Sequence, residues 1–156
     1  MPYYLETLLS FLDEAQREYF RAADDDFCSE ATLRILRDHI LKTEPELLAW
    51  LSDLPCYYKT DTQVFVHAGV DEEAQELWEL GTTEEYMLGK YPPTTGKFLI
   101  TVIAGHVGSS EVSGDPSFHG IYFDGESHYF IDGTVSKSGR IPVLVYDPAE
   151  EKYSNI

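Results

Sequence analysis

Val64-Phe65-Val66-His67-Ala68-Gly69 and Ile100-Thr101-Val102-Ile103-Ala104-Gly105-His106 repeat one pattern: an apolar, β-prone run gives way to a histidine beside a glycine. The chain between them is mostly helical in character and long enough for a crossover. The two runs are therefore expected to pair in parallel, with both histidines leaving at carboxyl ends on one rim. That rim is where open α/β sheets bind ligands. Imidazole is a good ligand for Zn²⁺, Mn²⁺ or Fe, and a neighbouring glycine lets backbone approach a metal site closely. The plainer alternative, two hydrogen-bonded loop histidines, stays open on these residues alone.

Upstream of this pair the periodicity is helical. Leu5, Leu8, Leu9, Leu12 and Tyr19 recur at helical offsets and predict one amphipathic helix over about 3–21, ended by Asp24-Asp25-Asp26. A second helix is expected from Ser29 as N-cap, with Glu30 in its first turn and Leu33, Leu36 and Ile40 on one face. Thr43-Glu44-Pro45-Glu46 reads as a capping box before a Leu47, Leu48, Leu51, Leu54 stripe that Pro55 stops. From Cys56 the period changes. Strands are expected at 56–58, 63–66, 98–104, 120–123, 128–131 and 141–146, with helices over 71–80 and 83–90, the latter capped by Thr82 or Thr83. Trp78 and Tyr57-Tyr58 read as core. The fold class is α/β, with α+β as the alternative, because helices open the chain and the sheet follows. The expected organisation is a single, incomplete domain over 1–156, helical over 1–54 and sheet-rich over 55–156.

Composition narrows the partners. The 156 residues carry 28 acidic and 11 basic side chains, a net charge of −17. Such a charge repels phosphate backbones, and no basic stripe interrupts it, so nucleic acid and anionic membranes are not expected partners. An apolar fraction of 43% and 21 aromatics sustain a packed core. Cys28 and Cys56 have no zinc-knuckle spacing and read as reduced thiols. With no spanning apolar stretch and no basic leader at the start, a cytoplasmic location is expected.

Taken together, Phe65-Val66-His67-Ala68-Gly69-Val70, Val102-Ile103-Ala104-Gly105-His106 and Tyr129-Phe130-Ile131-Asp132-Gly133 resemble the carboxyl-terminal half of the bacterial-type serine/threonine protein phosphatases. These belong to the calcineurin-like metallophosphoesterase superfamily. The H-A-G and G-H-T blocks match at His67 to Gly69 and at Gly105-His106, although Val107 replaces the threonine; the likeness covers roughly 45–147. The resemblance implies that His67 and His106 ligate the same ion of a two-metal centre holding Mn²⁺, Zn²⁺ or Fe. Such a centre activates water for in-line attack on phosphorus. The histidine-x-histidine variant is absent, since Gly108 occupies that place.

The departures set the expectation for activity. The G-D-x-H-G, G-D-x-x-D-R-G and G-N-H-E blocks do not occur in Met1 to Glu44, so the chain resembles the distal half of such a domain. Two imidazoles leave a divalent ion short of ligands. Phosphomonoester hydrolysis is expected of the complete domain and not of this chain, with self-association or pairing with a missing half across an exposed apolar sheet edge. The alternative is a non-catalytic interaction module with vestigial histidines. Gly114-Asp115-Pro116-Ser117-Phe118-His119-Gly120 only superficially resembles G-D-x-H-G, and Asp115 reads as a turn residue. His119 and His128 read as strand-edge or loop side chains, and Arg140 as half of a turn-flanking salt bridge. Ser109 and Ser110 belong to a loop kept polar for solubility, Cys56 is a small buried residue, and Asp24 to Asp26 form a solvated helix end.

Overall fold

Four helices, α1 (Tyr3–Ser10), α2 (Glu14–Ala22), α3 (Glu30–Thr43) and α4 (Pro45–Ser52), precede all seven strands in the computed structural model, which describes residues 3–22 and 29–156. The chain divides into two compact units, Met1–Leu54 and Pro55–Ile156. The acidic run Asp24 to Asp26 and Cys28 lie outside the described residues.

In the helical unit the expected first helix is two. Asp13 Oδ1 accepts from the Gln16 amide at 2.8 Å while Gln16 Oε1 accepts from the Asp13 amide at 3.0 Å. This reciprocal cap starts α2 and interrupts the apolar period. Leu9, Leu12 and Leu36 form the core here, with Leu8 packed against it. Ser29 caps α3 by accepting from the Thr32 amide, and Leu36 and Ile40 are buried on its inner face. The expected Thr43–Glu46 capping box does not form. Helix α3 runs through Thr43, whose hydroxyl instead donates to the His39 carbonyl at 3.0 Å, and α4 starts from Glu44 with no side-chain cap. Pro45 at the first helical turn needs no amide partner. The expected apolar stripe of α4 is also not a core stripe: the helix buries none of its residues, and Trp50, Leu51 and Leu54 are exposed.

The second unit is a mixed α/β arrangement around a five-stranded sheet. Its strands are β1 (Tyr57–Lys59), β2 (Gln63–Val66), β3 (Thr101–Ala104), β4 (Tyr122–Phe123) and β5 (His128–Phe130), in the order β1-β2-β3-β5-β4. Strands β2, β3 and β5 run parallel, and β1 and β4 flank them antiparallel. The crossover from β2 to β3 contains 3₁₀ turns (Glu72–Leu77) kinked at Gln75, then α5 (Trp78–Gly81) and α6 (Glu84–Gly89). Thr83, one of the two candidate caps, accepts from the Tyr86 amide at 3.2 Å. Val64, Val66, Val102 and Ala104 face this crossover and bury Trp78, Met87 and Phe98 against them. Each such side chain, taken from water, contributes about 1.5–3 kcal/mol.

Short helices α7 (Ser109–Ser113) and α8 (Val135–Ser138) interrupt the later loops, and β6 (Leu144–Asp147) pairs with β7 (Lys152–Asn155) as a separate antiparallel hairpin. The opposite sheet face carries a cross-strand row. Tyr58, Phe65, Ile103, Tyr129 and Phe123 are successive register partners across all five strands. The hairpin covers part of it: Tyr153 packs 4.5 Å from Tyr129, and its hydroxyl accepts from Gln63 Nε2 at 2.7 Å. Ile103 is buried, but Tyr58, Phe65 and Phe123 remain exposed. Tyr58 is therefore not core, whereas Trp78 is.

Candidate metal centre

The parallel register places Val66 opposite Ala104, so the chains leaving β2 and β3 stay side by side. The Gly105 amide donates to the His67 carbonyl at 2.9 Å, which carries the ladder one step past the strand ends. His106 follows in a three-residue turn, with the Val107 amide donating to the Gly105 carbonyl at 2.7 Å and φ of His106 at 66°. A non-glycine residue in that region is held there at a cost of about 1–3 kcal/mol. The turn swings the His106 ring toward His67. Nε2 of His67 and Nδ1 of His106 are 3.2 Å apart, with ring centroids at 5.1 Å and planes inclined at 61°. Both residues are exposed.

This separation sets whether the two rings can share one cation. Two nitrogens at metal–nitrogen distances of about 2.0–2.1 Å lie about 3.3 Å apart at a tetrahedral angle and about 2.9 Å apart at a right angle. The observed distance falls between these values, so the pair fits as two ligands of one ion. It also suits an N–H···N hydrogen bond in which one neutral ring donates to the other. Among the described residues, no group of three or more His, Cys, Asp and Glu side chains converges as a complete metal set. Asp132, at the end of the neighbouring parallel strand β5, has its Oδ1 engaged by the Thr134 amide at 2.8 Å. At Gly108 a Cβ would lie 2.8 Å from Thr134 Oγ1, so close approach of that loop excludes a further ligand side chain there.

Beneath the His67 loop lies a polar cluster that sequence reading missed. The Lys90 side chain is 3% exposed; its ammonium donates to the Val70 carbonyl at 2.6 Å and to the Glu72 carboxylate. Glu72 Oε1 is 3.3 Å from Nε2 of His128, and Nδ1 of His128 is 3.0 Å from both Asp124 Oδ2 and the Gly96 carbonyl. His128 is thus the buried centre of a hydrogen-bonded polar chain, not an edge or loop side chain. Burial alone would push the Glu72 carboxyl up, but hydrogen bonds from His128 and Lys90 and the Lys90 charge together hold it below the usual range. Asp124 behaves likewise: burial raises it, and the amides of His128, Gly96 and Glu126 outweigh burial and lower it. Two features call for glycine at position 69: its backbone φ of +154°, and the Lys90 stem, since a Cβ there would lie 2.5 Å from Lys90 Cδ. Lysine and ligand loop are packed as one piece.

Other singled-out residues fall elsewhere. Asp115 is a turn residue, its Oδ1 accepting from the Ser117 amide and hydroxyl at 2.9 and 2.7 Å. Ser109 is fully buried at the start of α7, so this stretch is not a loop kept polar for solubility. Cys56 is a half-buried free thiol packed at the edge of the core. Arg140 has no carboxylate partner among the described residues, which removes the expected salt bridge. Among those residues, no helix is long and apolar enough to cross a membrane. No protein-family model, curated protein or solved structure matches this chain.

Proposed function

We propose that residues 45–147 act as the distal part of a metal-dependent phosphoesterase resembling the serine/threonine protein phosphatases. In this reading His67 and His106 are two ligands of one divalent cation, Mn²⁺, Zn²⁺ or Fe. One observation carries it: two parallel strands end in histidines whose facing nitrogens stand 3.2 Å apart, the span of two donors on one ion. His67 and His106 would hold such an ion, which when bound would supply Lewis-acid polarisation of a phosphoryl oxygen and activation of water. The chain's own part is to hold the two imidazoles in register through the Gly105–His67 bond and the Lys90 cluster. Two donors do not close a catalytic site, so this polypeptide alone is inactive toward phosphomonoesters and the remaining ligands come from other sequence.

A second reading, a non-catalytic interaction module with vestigial histidines, rests on the exposed aromatic row of Tyr58, Phe65 and Phe123. Cobalt absorption spectroscopy, together with a chromogenic phosphate ester assayed with Mn²⁺, separates the two. The phosphoesterase reading expects Co²⁺ bound by the chain and lost in His67→Ala and His106→Ala, with no turnover by the chain alone. Absence of Co²⁺ binding leaves the interaction module. Robust turnover insensitive to either substitution defeats the site assignment.

A further inference from the structure

Helix α6 and the residues after it border a groove of about 290 Å³, lined by Thr83, Glu85, Tyr86, Gly89, Lys90 and Tyr91. Whole small-molecule sites begin at about 300 Å³, so a groove of this size suits a single side chain of a larger partner. Its walls are fixed. The Thr83 hydroxyl accepts from the Tyr86 amide at 3.2 Å, the Tyr86 carbonyl accepts from the Lys90 amide at 2.9 Å, and the Tyr91 hydroxyl donates to Glu111 at 2.7 Å. On the same helix the Met87 carbonyl accepts from the Ala68 amide at 2.8 Å, which ties the groove to the His67 loop. Gly89 leaves it open: its backbone is not left-handed, and a Cβ there would meet no atom within 4 Å.

The groove is aromatic and its charge is one-sided. Tyr86 and Tyr91 are both exposed. Tyr86 already meets one cation, since the buried Lys90 ammonium lies 5.6 Å from its ring centroid, within reach of a cation–π contact. From Asp71 to Glu85 the crossover from β2 to β3 carries seven carboxylates and no lysine or arginine. Glu72 is paired with Lys90 and Glu79 with Lys59, but Asp71, Glu73, Glu76, Glu84 and Glu85 make no ion pair among the described residues. Burial and the charges of Asp71, Glu72 and Glu73 push the Tyr86 hydroxyl up, so these carboxylates act on this ring. Among the described residues, no three His, Cys, Asp or Glu side chains converge as a metal set. Negative charge spread beside exposed rings, instead of gathered around a point, suits a planar organic cation.

We propose that this groove receives an arginine side chain of a protein or peptide partner. The guanidinium stacks against the exposed tyrosines, and its N–H fork meets Glu85. A guanidinium is planar and weakly hydrated, whereas an ammonium is a compact, strongly hydrated charge that cannot stack. The field of a chain with net charge −17 draws a basic segment toward it. The site uses none of the metal-ligating candidates and stands whether or not His67 and His106 hold a cation.

Calorimetric titration of the whole chain with the capped peptide acetyl-Gly-Arg-Gly-amide, in chelator-treated buffer of low salt, tests this. The expected result is saturable one-to-one binding in the millimolar range. It should weaken about threefold or more with lysine in place of arginine and vanish with citrulline, the neutral isostere. Free arginine, whose carboxylate the unpaired acids repel, should bind more weakly than the peptide. Gly89→Leu fills the groove and should weaken binding by about tenfold or more, with a thermal melt no lower than the parent's because the new Cβ has room. Glu85→Gln should weaken it by about threefold or more, while Glu46→Gln, the same charge change on α4, should leave it unchanged. The His67→Ala/His106→Ala double variant should bind as the parent does. The proposal is overturned by Gly89→Leu binding as the parent, by the lysine or citrulline peptide or free arginine binding as tightly, by Glu46→Gln weakening binding as much as Glu85→Gln, by loss of binding in the double histidine variant, or by no saturable binding up to about 10 mM.

Discussion

His67 and His106 face one another at 3.2 Å across a backbone ladder that has just ended, and only one of the two has a relaxed backbone. His67 follows directly after β2 with its carbonyl still held by the Gly105 amide, whereas His106 reaches the same point by adopting φ 66° in a tight turn. Strain confined to one member of a facing pair makes a function-first arrangement testable.

Replacing His106 by glycine should therefore raise stability while removing a donor. Glycine relieves the positive φ and loses part of that gain to its more flexible unfolded chain. A net stabilisation of about 0.5–1 kcal/mol is expected in urea unfolding, together with loss of Co²⁺ binding. A destabilised His106→Gly would show that the turn is not strained.

The Lys90 ammonium is held by the Val70 carbonyl and Glu72 in a buried setting. Lys90→Met removes the cation and leaves both acceptors without it. The expected loss is about 3–5 kcal/mol, read from denaturant midpoints at unchanged slope. A loss below about 1 kcal/mol would place the ion pair among those that contribute little.

Gly69→Ala puts a methyl group 2.5 Å from Lys90 Cδ. Because the lysine is tethered at its far end, the clash should cost about 1–3 kcal/mol on top of the strain of alanine at φ +154°. In a Lys90→Ala background that contact is gone, and only the cost of holding alanine at φ +154° remains. A double-mutant cycle should show a coupling of about 1 kcal/mol or more, and strict additivity would separate the glycine from the lysine stem.

Acid should weaken the fold through Glu72 and Asp124. Both carboxyls are held below their ordinary values of 4.5 and 3.8. The stability they contribute is complete above those values and is lost as pH falls through the lower folded-state values. Thermal midpoints of the parent should drop as pH is lowered below about 4.5, and the drop should be smaller in Glu72→Gln/Asp124→Asn. Parallel pH profiles for the two proteins would exclude these carboxyls as its source.

The histidine pair was legible in the sequence because its cause is local. Short apolar runs rich in Val and Ile form strands, and a crossover-length helical insert favours parallel pairing, so both ends reach one rim. Turn chemistry was partly legible for the same reason: Ser29 and Thr83 cap where expected, while the Asp13–Gln16 box, equally local, splits the first helix. What tertiary structure decided is everything carried by distance along the chain. Glu72 meets His128 across 56 residues, and Gln63 meets Tyr153 across 90. No periodicity encodes such meetings, because hydrogen-bond partners that share neither a helix face nor a strand register leave no regular spacing. The sequence determined that two imidazoles would emerge from neighbouring strands. Only packing decided that a buried lysine would underlie one of them, that a left-handed turn would aim the other, and that Arg140 would stand without an acid.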